Sequence, residues 1–307
     1  MKTLLIFIDG VGLGDTGAAN PFIFVDTPAI QALLQGQRLC RKAIGFSDRR
    51  ASLLGLDAVL DVCGLPQSAT GQATIFSGVN APRLLGSHLN GYPNKLLRDM
   101  LAERGIFKQF KQKGYRCAFA NAYRPPFFEH LKSGLPGYKY SCSTLVTYYG
   151  GVAFRSLDHL RNGEAVYMDI DNTFLQQMGV DVERITPEEA GRRLIAISGR
   201  YDFTMFEYFF SDLAGHSTDL KKAIQVVETL DRFIGAVAEE LDTTRVLLIV
   251  TSDHGNMEDL RHKEHTTNPV PALLVGDQKL RQIISARMNN LTDILPATQF
   301  VLAWECG

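Results

Sequence analysis

Cysteine is sparse in this chain and never paired. The five thiols, at positions 40, 63, 117, 142 and 306, are odd in number, scattered, and without a CxxC spacing. That excludes a disulfide framework and a thiolate metal site, and it fits reduced thiols in a cytoplasmic protein. Long apolar runs are missing too. The stretch from Leu4 to Ile8 is interrupted at Asp9, too soon for a signal-peptide core, and no other stretch approaches the length of a membrane span. Neither sign of charge dominates: the net charge is −1, with acids and bases interleaved. A nucleic-acid footprint and a membrane-surface patch are therefore not expected. What remains is a globular composition, 45% hydrophobic and 21% charged over 307 residues, enough for a large α/β core or a core carrying an inserted module.

Short apolar or β-branched runs predict buried parallel strands over Leu4 to Ile8, Cys117 to Ala120, Thr204 to Phe210 and Val246 to Thr251. Helical stretches with charged faces, Ala29 to Gln35, Leu96 to Lys113 and Lys221 to Glu240, lie between them. Such alternation argues for a mostly parallel sheet covered on both faces, with ligands at the strand ends. The region 123–198 is dense in aromatics and turn residues, including Tyr138 and the Tyr148-Tyr149-Gly150-Gly151 run. It reads as a small cap inserted into a discontinuous core made of 1–122 and 199–307. There is no internal repeat and no low-complexity tract.

Five segments carry chemistry. The first strand runs into Asp9-Gly10-Val11-Gly12-Leu13-Gly14-Asp15, which lacks the third glycine of a dinucleotide fingerprint. A carboxylate there would repel a pyrophosphate unless a cation stood between them; the bland alternative is a turn cap. Ser68 follows a proline-bounded loop and opens a helix of small residues, where backbone N–H groups stabilise an anion; it would serve equally as an N-cap. Asp212 and His216, four apart with a glycine between, can converge on a cation from a tight turn. Asp253-His254 ends a buried strand, where two polar side chains demand partners. His265 leads into a proline-bracketed segment and the apolar run Ala272 to Val275. Four oxygen ligands (Asp9, Ser68, Asp212, Asp253) and three imidazoles (His216, His254, His265) are too many for one cation and suit two, an arrangement that clamps both oxygens of a phosphoryl displacement. Such donors suit Mn²⁺ or Zn²⁺, with Mg²⁺ admissible at the more oxygen-rich position.

Taken together, Asp9-Gly10, Ser68-x-x-Gly71-Gln72, Asp212-x-x-x-His216, Asp253-His254-Gly255-Asn256-Met257-Glu258 and His265-Thr266-Thr267-Asn268-Pro269-Val270-Pro271 resemble the alkaline phosphatase superfamily, and most of all its cofactor-independent phosphoglycerate mutase and phosphopentomutase branch. The resemblance implies a three-layer α/β core with two divalent metal ions and a cap inserted after the nucleophile segment. It implies one metal held by Asp9, Asp253, His254 and the Ser68 oxygen, and another held by Asp212, His216 and His265. Ser68 would be the nucleophile, with Thr70 a weaker candidate. Departures from the mutases are Gln72 in place of a histidine, a much smaller insert, and cap cations (Arg124, Lys132, Lys139, Arg155, Arg161) in no clustered pattern. A small cap shields a phosphoserine poorly, so these departures point to hydrolysis of a small phosphoester; the alternatives are a phosphomutase and a catalytically silent metal-binding homologue. The C/S-x-P-x-R pattern of sulfatases is absent around Cys63. His88, His130, His159 and His262 match no motif position.

Overall fold

A computed structural model describes residues 1–132 and 139–304; Tyr138 and Cys306 lie outside the described residues. Among the described residues there are eight strands: β1 (Lys2–Ile8), β2 (Ala51–Leu56), β3 (Cys117–Phe119), β4 (Ala122–Tyr123), β5 (Arg155–Ser156), β6 (Phe203–Tyr208), β7 (Val246–Thr251) and β8 (Val270–Val275). Six of them form the central sheet in the order β2-β8-β7-β1-β6-β3. β7, β1, β6 and β3 run parallel, and β8 is antiparallel to both its neighbours.

The strands read as unbroken apolar runs because both faces are covered. Along β1, Leu4, Ile6 and Ile8 enter one core with the helices Pro28–Leu33, Pro187–Ser198 and Leu220–Glu240. Leu5 and Phe7 enter the opposite core with Ser68–Ser77, Lys95–Arg104, Ile106–Gln112 and Ile294–Leu302. The period of two thus divides one strand between two hydrophobic layers, giving the three-layer α/β architecture.

Three expectations need revision. The helix expected over Leu96 to Lys113 is two helices, broken at Gly105, whose backbone is extended. Asp212 and His216 stand on a helix, Phe210–Ser217, and not on a tight turn. The stretch 123–198 does not behave as one inserted unit. Its Cys142–Tyr149 helix buries Cys142 and Val146 in the second core, and its Pro187–Ser198 helix buries Ala190, Leu194 and Ile197 in the first. Only the intervening part has a cluster of its own, built on Ala122, Leu157, Leu160, Ala165, Tyr167, Leu175 and Val182 beside the short β4–β5 pair. The reason is burial: both helices carry an apolar stripe that needs a partner layer, and the sheet's helical layers supply it.

Candidate metal centre

All the candidate ligands lie at the C-terminal ends of β1, β6 and β7, or on segments brought to them. Asp9 follows β1 directly, and its N–H donates to the Tyr208 carbonyl at 2.8 Å. Beyond β6, a separation of four residues on a helix puts Asp212 and His216 on one face, one turn apart. Asp253 and His254 leave β7, and an antiparallel bridge between Gly255 and Thr266 returns His265 to the same place. Ser68 is the first residue of its helix; Gln67 is the cap residue, so the serine is not an N-cap. Two glycines make room. At Gly10 (φ 73°) a Cβ would lie 2.7 Å from Asp212 Oδ1, and at Gly71 it would lie 2.7 Å from the Asp253 carbonyl.

The side chains form two clusters that share Asp212. In the first, the coordinating atoms of Asp212, His216 and His265 lie within 4.8 Å of one another. His216 Nε2 is 3.3 Å from Asp212 Oδ2, and His265 Nε2 is 3.6 Å from Asp212 Oδ1. The outer ring nitrogens are held by carbonyls, His216 Nδ1 by Lys263 at 2.6 Å and His265 Nδ1 by Pro66 at 2.8 Å, which leaves both Nε2 atoms facing inward. The second cluster brings together Asp9, Asp212 and His254. His254 Nε2 is 3.1 Å from Asp9 Oδ1, 3.0 Å from Ser68 Oγ and 3.6 Å from Asp253 Oδ2. The rings of His254 and His265 stack at 3.7 Å, which places the clusters side by side. Every one of the seven candidates is therefore in one place.

The donor set fits divalent cations. Asp9 Oδ1 and Asp253 Oδ2 are buried and accept no hydrogen bond, although His254 Nε2 stands close to both. Burial raises the carboxyls of Asp9 and Asp253; the Asp9 charge raises Asp253 further, and the Asp212 charge adds to the rise of both, while His254 opposes it. Burial opposes a charge on His254, but the Asp253 and Asp9 carboxylates outweigh it and push the imidazole up to about 10. His265, buried beside that cation, is pushed down to about 4. Crowded, under-bonded carboxylates that force a proton onto a buried imidazole are the arrangement a metal ion relieves, since it replaces the proton and satisfies the orphaned oxygens.

Other residues complete the site. Gln72 donates to Asp9 Oδ2 at 3.1 Å, so this glutamine orients the carboxylate. Glu258, quoted in the motif without a role, ties three loops together. Its Oε2 accepts the N–H groups of Gly12 and Asn256, each at 2.8 Å, and its Oε1 accepts Thr266 Oγ1 and, at 2.9 Å, Asn268 Nδ2. Asn256 Nδ2 donates to Asp212 Oδ1 at 2.7 Å. Glu207 in β6 accepts Ser143 Oγ at 2.6 Å, and burial pushes it up to about 7; a lone acid in an apolar strand was the signal for it. Thr70 is fully occupied, donating to the Gln67 carbonyl at 3.1 Å and accepting the Leu89 N–H, and so offers no free hydroxyl. His88 and His159 bond elsewhere, to the Val62 carbonyl and to Ser156.

Comparison with known proteins bears on the family and the fold. The metalloenzyme superfamily model matches residues 1–301. The 2,3-bisphosphoglycerate-independent phosphoglycerate mutase of Rhodopseudomonas palustris is 41% identical over 103 residues, 31% of this chain and 20% of that protein. The mutase of the same name from Moorella thermoacetica is 37% identical over 109 residues, 34% of this chain and 21% of that protein. The chain thus spans only about a fifth of those relatives' length. Among solved structures, the PH0037 protein of Pyrococcus horikoshii superposes with a TM-score of 0.58 at 16% identity, over 100% of this chain and 98% of that one. A TAB5 alkaline phosphatase variant gives 0.50 at 13% identity, over 99% and 98%. With the family model matched over residues 1–301, this chain belongs to the metalloenzyme superfamily, the alkaline-phosphatase-like group.

Proposed function

We propose that this chain is a two-metal phosphoryl-transfer enzyme in which Ser68 carries the phosphoryl group. The observation that supports it best is the position of Ser68 Oγ, 3.0 Å from His254 Nε2 at the first turn of a helix whose start faces both ligand clusters. Divalent ions held by Asp9, Asp253, His254 and Ser68, and by Asp212, His216 and His265, would lower the hydroxyl's pKa and neutralise charge on the phosphoryl and leaving oxygens. The chain's own groups do the rest. The first hydrogen bond of the helix is from Gly71 N–H to the Gln67 carbonyl, so the N–H groups of Ser68, Ala69 and Thr70 are free of helical acceptors and suited to an anion. Gln72 and Gly10 N–H fix the Asp9 and Asp253 carboxylates, and Asn256 fixes Asp212. A serine that attacks phosphorus forms one P–O bond as the ester P–O bond breaks, and a second acceptor then takes the group from the serine.

The acceptor separates two readings. The sequence alone points to water, and hence hydrolysis; the sequence matches weigh instead towards transfer to another hydroxyl of the substrate, because the relatives carry the name phosphoglycerate mutase. One feature favours hydrolysis: the cap cations engage separate partners, Lys139 lying over the Tyr92 ring. Arg124 meets Met178, Lys132 pairs with Glu129, Arg161 with Asp158, and Arg155 binds the Phe119 and Glu164 carbonyls and the Tyr201 hydroxyl. We take mutase-type transfer as the leading reading. Phosphorus NMR on the Zn²⁺-loaded enzyme with 3-phosphoglycerate and with pentose phosphates tests it. A positional isomer is the expected product, and inorganic phosphate alone would assign hydrolysis. Ser68→Ala is expected to lower turnover by at least about 10³-fold with metal content retained; unchanged turnover in that variant overturns the phosphoserine route.

A further inference from the structure

A cavity of about 820 Å³ opens on the reverse side of the helix that carries Asp212 and His216. Leu213 and Ala214, which line it, lie roughly 100° and 200° round the helix from Asp212 at 3.6 residues per turn, whereas His216 returns to the Asp212 face. The cavity is thus separate from the metal ligands. Its size is that of small-molecule sites in general, which hold an apolar wall and a few convergent polar groups.

Polar and apolar groups alternate on the lining. Tyr208 is only 3% exposed and lines the cavity, yet its hydroxyl makes no hydrogen bond to any described residue. Thr173 lines it too, and its Oγ1 is buried and unpartnered. Asp169, 8% exposed, lines the cavity as well, anchored by the N–H groups of Asn172 at 3.1 Å and Phe174 at 2.6 Å. The loop that presents them holds Ile170 at φ 72° and Asn172 at φ 68°. A β-branched residue in the left-handed region is strained, and such strain gathers at ligand clamps. The rings of Phe174 and Phe210 form an apolar wall, edge to face at 5.8 Å.

The lining also selects the ligand's charge. The charges on the lining offset one another: Arg184 pairs with Asp171 and Arg232 with Glu188, while Asp169 and Glu228 stand with Lys222. A neutral molecule rich in hydroxyls, with a ring face for the phenylalanines, suits donors and acceptors interleaved in this way. We propose that this cavity binds a polyhydroxylated small molecule of monosaccharide size at a site distinct from the metal centre.

Saturation-transfer NMR on the Zn²⁺-loaded protein with glucose, ribose and myo-inositol as probes tests the assignment, with malonate as the anionic control. Tyr208→Phe removes one oxygen and Thr173→Val another. The expected result is transfer to at least one polyol in the parent protein and affinity roughly tenfold weaker in either variant, with melting temperature and metal content unchanged. Absence of transfer to all three polyols, preference for malonate, or equal affinity in both variants overturns the site. Because the readout is sugar binding, failure here leaves the Ser68 reading standing, and failure of phosphoryl transfer leaves this one standing.

Discussion

Glu258 is a carboxylate, 2% exposed, that forms no ion pair among the described residues and instead gathers four donors from three loops. Removing it strands the Gly12 and Asn256 N–H groups and frees the loops bearing Asp9, His254 and His265. Glu258→Ala should therefore weaken Zn²⁺ binding by about 10–100-fold by calorimetric titration, and Glu258→Gln, which keeps an acceptor for both N–H groups, should recover part of it. Asp169 offers a pH readout. Burial raises it from 3.8 to about 6, with the Asp171 charge adding to the rise and loop N–H groups opposing it. A raised carboxyl stabilises the fold while protonated; that stability is fully present below the unfolded value and is lost as pH rises through about 6. Asp169→Asn should flatten the melting-temperature profile between about pH 4 and pH 6; an unaltered profile would refute the burial account. At this scale the ligands were legible, because Asp and His at strand ends are costly without a task. Glu258 was not, since its task is to bond backbone groups, and sequence does not show which loops meet.

Helix and strand termini decide which of these side chains converge. In an ordinary helix Gly→Ala stabilises by about 1 kcal/mol. At Gly71 the added methyl would lie 2.7 Å from the Asp253 carbonyl, a backbone atom that cannot rotate away. Gly71→Ala is accordingly expected to lower the melting temperature and weaken metal binding, the reverse of the propensity rule; a stabilised variant would show that the helix does not sit against the Asp253 turn. β1, β6 and β7 were readable as apolar runs, with β7 matching to the residue. β2 was missed, because Ala51–Leu56 contains a serine and a glycine that dilute its periodicity, and β8 was seen only as the run Ala272 to Val275, because two prolines border or enter it. The Phe210–Ser217 helix was read as a turn because Gly215 suggested a break. In the fold, a Cβ there would lie 2.5 Å from Asn256 Oδ1, so the glycine serves loop approach and not chain reversal.

Across the whole molecule, the candidate ligands come from segments as distant in the chain as Asp9 and His265, and no disulfide joins those segments among the described residues. Metal binding should then feed directly into global stability, by about 4 kcal/mol per site at a free-ion concentration 1,000 times the dissociation constant. Chelation with EDTA is expected to lower the calorimetric melting temperature by several degrees or more, and an unchanged transition would mean that the centre holds no ion. The two-core sheet was legible as a class of architecture, but the boundaries of the cap were not, since helices that dock on the core and helices that cover it have the same amphipathic pattern.

Asp212 belongs to both clusters. Were both clusters to hold a cation, its oxygens would be one set of electrons offered to two ions, and the two occupancies would be linked free energies rather than independent equilibria. The first ion to arrive would set the carboxylate's orientation for the second while adding a positive charge beside it, and by reciprocity each ion must alter the other's affinity by the same factor.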